Sequence, residues 1–263
     1  MTETRVMHFS EPELRDPVAL VGFPTVGLVG SILAGLVVRE MDLPVIAGIT
    51  SPDIPPYTFV TGGLPCPQIR IMAGTPPRIR KKKKAEGEEK EEAPAKKKRS
   101  KPHDIVVVTS EIAPKPEQTY DISRAILDTL RELGVNDIIC LEGVAGIEPT
   151  APVGGVGGNE AVRQKLESVN VPLMNDGIVR GISGILLMEG SYQGMNVMSL
   201  MVPANPQLPD PRAAARLMEP VTAMYPRIAI DTDPLFKEAE EIDSRVQSQQ
   251  LQTGDPSTGG FYR

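Results

Sequence analysis

Two glycine-rich stretches stand between an apolar run and a helical pattern, where exposed backbone amides can hold an anion. The first is Gly22-Phe-Pro-Thr-Val-Gly27-Leu-Val-Gly30. A P-loop needs Lys and Ser/Thr directly after its second glycine, but Leu28 and Val29 follow Gly27. A dinucleotide fingerprint needs a glycine at position 24, which is Pro24. Close packing of helix on strand is therefore the preferred reading, and anion binding the alternative. The second stretch, Pro152 to Asn159, holds Gly154, Gly155, Gly157 and Gly158. It suits a ligand loop or an oligomer contact, with a plain flexible connection as the preferred reading.

Other chemistry is poorly provided for. A Ser-His-acid set needs a histidine, and the two present are His8, near the start, and His103, beside a charged run. Gly181-Ile-Ser183-Gly184 lacks the Gly-x-Ser-x-Gly spacing of a nucleophile elbow and reads as the start of a helix. Cys66, His103 and Cys140 are isolated, with no Cys-x-x-Cys or His-x-x-x-His pair, so neither a dedicated metal site nor a cofactor is expected. The carboxylates Asp104, Glu111, Glu142, Glu148, Asp176 and Glu189 fall near strand ends or in loops, where an α/β enzyme places acids and bases. Whether any two converge is not written in the sequence.

Charge is strongly segregated along the 263 residues. The formal net of -6 conceals a stretch, 78 to 101, that holds 12 of the 28 Lys+Arg and 5 of the 34 Asp+Glu. The remainder has 16 basic against 29 acidic residues. The stretch contains one aliphatic residue larger than alanine, Ile79, and reads as a disordered charged insertion. Its basic blocks, Lys81 to Lys84 and Lys96 to Arg99, have no interleaved aromatic for base stacking, so nucleic acid is not the expected partner. Two cysteines point to a reducing cytosol rather than a disulfide framework. The N-terminus lacks the apolar segment of a secretory signal. The longest largely apolar run, Val26 to Val38, is 13 residues, against about 20 for a membrane span. A cytoplasmic protein without membrane contact is expected.

The elements that must position these residues alternate. Val18–Gly22, Val45–Ile49, Ile105–Val108, Ile138–Leu141 and Val197–Val202 read as strands buried on both faces. Ile122, Ile126, Leu130 and Leu133 share a helical face closed by Gly134, and Val162, Leu166 and Val169 repeat the spacing. Asp210-Pro211 is an N-cap followed by a first-turn proline. An α/β three-layer sandwich follows, its sheet parallel or mixed, with helices on both faces. It occupies 1 to 232 as a single domain. A helix over 233 to 252 shows a narrow seam of Leu235, Ala239, Ile242 and Val246 with Phe236 beside it, and 253 to 263 forms a flexible tail.

Three stretches in this order resemble the proteasome assembly chaperone family, specifically its archaeal members. They are Gly22 to Ser31, Asp176 to Met188 with the strand running on to Pro203, and Pro209 to Leu217 followed by Ile230-Asp231 and the helix from Leu235. The insertion at 78 to 101 departs from the shared pattern. The resemblance implies a fold like that of nucleoside phosphorylases, self-association into a homo-oligomer, and a non-enzymatic role in building or engaging the proteasome core, alone or with a paralogous chaperone. Phe261-Tyr262-Arg263 matches the hydrophobic-Tyr-X ending by which proteasome activators dock between subunits of the α-ring. The physical logic is simple: an α-carboxylate pairs with a lysine, Tyr262 buries its ring while its hydroxyl finds a polar partner, and Phe261 fills an apolar groove. One such tail binds weakly, and a ring of them gains effective concentration.

The enzyme-class alternative is a nucleotide- or nucleoside-like ligand held between the two glycine-rich stretches. A thermal-shift series with nucleosides, nucleotides and phosphate separates the two readings. The chaperone reading expects no shift across the panel, and a specific stabilisation would favour the ligand-binding enzyme.

Overall fold

The computed structural model describes residues 4–52, 54–77, 103–145, 148 and 150–253, with side chains as far as Ser248. The charged insertion at 78 to 101 and the segment from 254 onward, including Phe261, Tyr262 and Arg263, lie outside the described residues. In chain order the elements are β1 (Arg5–His8), β2 (Val18–Gly22), α1 (Val29–Met41), β3 (Val45–Thr50), β4 (Phe59–Thr61), β5 (Leu64–Cys66) and β6 (Ile69–Gly74). There follow β7 (Ile105–Ser110), α2 (Pro116–Glu132), β8 (Asp137–Val144), β9 (Gly154–Gly157), α3 (Glu160–Ser168) and α4 (Gly181–Ile185). A π-helical turn over Leu186–Gly190, β10 (Asn196–Pro203), α5 (Pro211–Met224) and α6 (Asp233–Thr253) complete the chain.

Eight strands form one mixed sheet in the order β1-β3-β6-β7-β2-β8-β10-β9, and β4 and β5 form a separate hairpin. The central β7, β2, β8 and β10 run parallel, and every residue of β2 and β7 is buried. The alternation of a pleated strand divides them between two cores. Val18 and Leu20 face α1, α3, α5 and the start of α6, whereas Ala19 and Val21 face α2 and α4. The three-layer sandwich with helices on both faces is thus present, and its sheet is mixed.

Local signals set the helix ends. Asn159 Oδ1 accepts from Val162 N at 2.9 Å at the start of α3, and Asp210 Oδ1 accepts from Ala213 N at 2.9 Å at the start of α5. Gly134, after α2, has φ of 75°. Leu235 and Ala239 are buried and Ile242 and Val246 partly so, which makes the seam of α6 a contact with α5. An ion pair from Arg212 to Asp243 at 2.8 Å joins the start of α5 to the middle of α6. So α6 runs back along α5 toward the carboxyl ends of the parallel strands. Among the described residues, no helix is long and apolar enough to cross a membrane.

One expectation about local structure is corrected. Gly154 to Gly157 do not form a loop but β9, the edge strand paired antiparallel with β10. Without them β10 would end the sheet with unpaired amides, and glycine admits the close approach of α3 and the segment after it: a Cβ on Gly155 would meet Leu166 Cδ1 at 3.1 Å and Val171 Cγ1 at 2.9 Å. β1 and β6 were also not apparent in the sequence.

At the amino ends of β8 and β10 a polar network fixes the layers together. Asp137, the first residue of β8, accepts from Asn196 Nδ2 at 2.8 Å, from Lys165 Nζ at 2.9 Å and from the Tyr225 hydroxyl. Burial pushes the Asp137 carboxyl up, but the hydrogen bonds from Tyr225, Lys165 and Asn196 and the charge on Lys165 outweigh it and hold its pKa below 3.8. A carboxyl depressed in the folded state stabilises the protein above its unfolded value and loses that contribution as pH falls through the folded one. Asp137→Asn is expected to lower stability by about 2 kcal/mol at pH 7, with the deficit shrinking below about pH 3.8. Urea melts of both proteins at pH 7 and pH 3 check this.

Candidate functional site

From β2 the chain moves toward the β1 edge of the sheet, and from β8 toward the β9 edge. Their carboxyl ends therefore flank a topological switch point, where open α/β sheets place ligands. The turn between β2 and α1 fills this point. Gly27 has φ of 65°, and Leu28, half-exposed, has φ of 53°, a conformation that strains a branched side chain.

The turn is held by backbone contacts that glycine alone permits. A Cβ on Gly22 would lie 2.1 Å from Gly30 O, one on Gly30 2.3 Å from Leu141 O, and one on Gly143 1.9 Å from Val26 O. These positions face carbonyl oxygens of the chain itself, and packing requires glycine at each of them. Thr25 secures the turn to β8 by accepting from Gly143 N at 3.1 Å, and Gly27 O accepts from Asp210 N at 2.8 Å, joining it to the loop after β10.

Beside the turn lies Glu142, the one carboxyl among the described residues whose pKa is pushed far from its ordinary value. Glu142 accepts from the hydroxyl of buried Ser183 on α4, and the Thr25 hydroxyl lies beside it. Burial pushes its pKa up to about 7, and the two hydroxyls counter only part of that rise. Cys140, on the same face of β8, is fully buried, and burial followed by the Glu142 charge pushes its thiol up to about 12, so it is no nucleophile at neutral pH. A carboxyl poised near neutrality can exchange a proton, but Ser183 has Glu142 rather than a histidine as its partner. His103 packs against the Tyr225 ring with centroids 5.6 Å apart, and His8 is exposed in β1.

The carboxylates do not converge. Asp104 accepts from Arg15 N at 2.7 Å, Glu111 pairs with Arg70, and Glu189 accepts from the Tyr120 hydroxyl at 2.7 Å. Asp176 is exposed between α3 and α4, and Glu148 is exposed between β8 and β9. Among the described residues, no group of three or more His, Cys, Asp or Glu is placed to hold a metal ion. The Gly154 to Gly158 stretch sits two strands from the turn, across β10 from β8. Sequence reasoning had Glu142 and Ser183 in hand separately and missed their pairing, because 41 residues separate them. It missed Thr25 altogether, although a hydroxyl between two glycines of a turn is a recognisable capping signal.

A second feature opens on the same end of the sheet. A cavity of about 670 Å³ lies between the loop after β10, the start of α5 and the middle of α6, lined by Leu208, Pro209, Arg212, Arg216, Ala239 and Ile242.

Substitutions separate the packing role from simple flexibility. Gly22→Ala is expected to lose about 3 kcal/mol in urea denaturation, because its Cβ meets backbone. Gly154→Ala, whose Cβ finds Pro172 O at 3.7 Å, is expected to stay within about 0.5 kcal/mol of wild type.

Residues 19–250 match a family model described as the PAC2 family. The crystal structure of Pyrococcus furiosus PbaA, an archaeal homolog of proteasome-assembly chaperone, superposes with a TM-score of 0.76 at 27% identity, covering 95% of this chain and 93% of that one. That of Pyrococcus furiosus PbaB, an archaeal proteasome activator, gives 0.73 at 22% identity over 95% and 100%. An uncharacterized protein of Methanocaldococcus jannaschii is 23% identical over 235 residues, 89% of this chain and 86% of the relative.

Proposed function

The chain belongs to the PAC2 family, and from that premise we propose that it is a proteasome assembly chaperone or activator, a non-enzymatic protein that engages the proteasome core particle. The observation that carries this is the likeness, over 95% of the chain, to a solved archaeal homolog of proteasome-assembly chaperone.

In this reading the contact with the α subunits is made by Phe261, Tyr262 and Arg263, carried by a cytoplasmic homo-oligomer that presents several copies at once. The geometry of α6 supports it. Asp243 reaches the start of α5, and the helix continues to Thr253, about 15 Å further at 1.5 Å per residue. The last turns of α6 therefore run past the start of α5, toward the carboxyl ends of the parallel strands. The apolar ring and hydroxyl of Tyr262 suit a half-buried pocket, and Phe261 supplies apolar area beside it.

Tyr262→Ala is expected to abolish binding to core particles while leaving the melting temperature unchanged. Native mass spectrometry of core particles mixed with the full chain, or with a version ending at Gly260, reads binding and stoichiometry together. Equal binding by both versions would move recognition to the folded body, and binding by neither would overturn the proteasome reading itself.

A further inference from the structure

We propose that the β4–β5 hairpin is an arm by which this chain binds a second copy of itself, docking on the apolar surface around α2 and the π-helical turn. From Ile54 to Ile69 the sequence carries no charged residue, in a chain where charged residues make up 24%. Lack of charge and presence of aromatics is the composition of an interface core. Yet the stretch is exposed from Pro55 to Pro65, apart from the half-buried Phe59. Val60 is 69% exposed, Leu64 70% and Tyr57 about half. A two-stranded hairpin is marginal by itself in water and gains from a cover on its apolar side chains. Its base is fixed before any partner arrives. Gln68 Nε2 donates to Pro55 O at 2.8 Å and to Tyr57 O, Thr58 Oγ1 donates to Cys66 O at 2.9 Å, and the Arg70 guanidinium lies over the Phe59 ring at 5.9 Å. Gly62 and Gly63, with φ of 59° and 82°, form the two-residue turn that matches the twist of the strands. Val60 and Leu64 are thus presented on an ordered arm, which saves the entropy of fixing them on binding.

The receiving surface is on the other side of the sheet. Arg70 alternates with Ile71, which faces α2, so the hairpin stands on the α1 face, over β3 and β6, where Pro67 packs on Gly48. Tyr192, Ile178, Met188 and Tyr120, exposed from 86% down to 42%, lie instead on the α2 face, around the elements packed on β8 and β10. Arg124, over the Tyr120 ring at 5.8 Å, and Glu189, on its hydroxyl, give this surface a polar rim. Arm and surface occupy opposite faces and opposite halves of one sheet, so they meet only between copies. Two different patches make a head-to-tail contact, which closes into a ring where the rotation allows. Charge favours the same contact. Outside residues 78 to 101 the chain has 16 basic against 29 acidic residues, so copies repel least where a surface is bare of charge, as the arm is. The contact gives the homo-oligomer of the reading above its surface, and it does not involve Phe261 to Arg263.

Native mass spectrometry of the full chain at micromolar concentration, without core particles, tests this separately from proteasome binding. Wild type is expected as an oligomer of the 28.4 kDa chain. An arm variant, Val60→Glu with Leu64→Glu, and a surface variant, Ile178→Glu with Tyr192→Glu, are each expected as monomers. All four side chains are exposed, so both variants are expected to keep the wild-type circular dichroism spectrum. Mixing the two monomers decides the geometry: the intact arm of one meets the intact surface of the other, and a dimer of one of each is expected with nothing larger. A monomeric wild type, or an arm variant that still assembles, overturns the proposal. A surface variant that still assembles overturns it too, by pointing to arms that pair with each other, and so does a mixture that stays monomeric. A variant that loses its spectrum is replaced by serine at the same two positions and read in the same way.

Discussion

The carboxyl end of the sheet depends on backbone meeting backbone at Gly22, Gly30 and Gly143. A Cβ at any of the three would fall within 2.3 Å of a carbonyl oxygen, so the first turn of α1 lies against β2 and β8 only because these positions are bare. The rest follows from that contact. It lets Thr25 reach the Gly143 amide, brings Gly27 O to Asp210 N, and leaves Glu142 enclosed between the turn and α4. Such contacts are worth little individually in dispersion, but they are intolerant of volume, because a packed interior has no slack to absorb a methyl group.

Two carboxylates five residues apart on β8 show how environment rather than residue type decides behaviour. Asp137, at the amino end, receives an ammonium, a phenol and an amide, and burial then strengthens each interaction with its charge. Glu142, at the carboxyl end, receives hydroxyls alone, which cannot repay the desolvation of a charge. The first fastens β8, β10, α3 and the end of α5. The second joins β8 to α4 through Ser183, and burial pushes its pKa up to about 7. α6 runs toward the carboxyl end of the sheet, where the second of these carboxyls lies.

Switch-point crevices of this kind hold ligands in many α/β enzymes. Here the crevice is occupied by the chain's own turn. A fold that gives its usual ligand position to internal packing is left to act through its surfaces, which agrees with the binding role proposed above.

The amino-acid sequence determined the layers of this protein. Val18–Gly22, Ile105–Val108 and Ile138–Leu141 are uninterrupted apolar runs, and Val197–Val202 is broken by Ser199 alone, the pattern of strands covered on both faces. Asp210-Pro211, Gly134 and the seam from Leu235 fixed helix ends and faces because capping and periodicity act within a few residues. The edges were not legible: β1 is short and mostly exposed, and the glycines of β9 have no side-chain alternation to read. Only the tertiary structure decided the candidate site. Thr25, Glu142 and Ser183 come from three elements as much as 158 residues apart, and their meeting depends on the sheet order, which long-range packing sets. Propensity and periodicity are local quantities, whereas the pKa of a buried carboxyl depends on whichever distant groups the fold brings within hydrogen-bond reach.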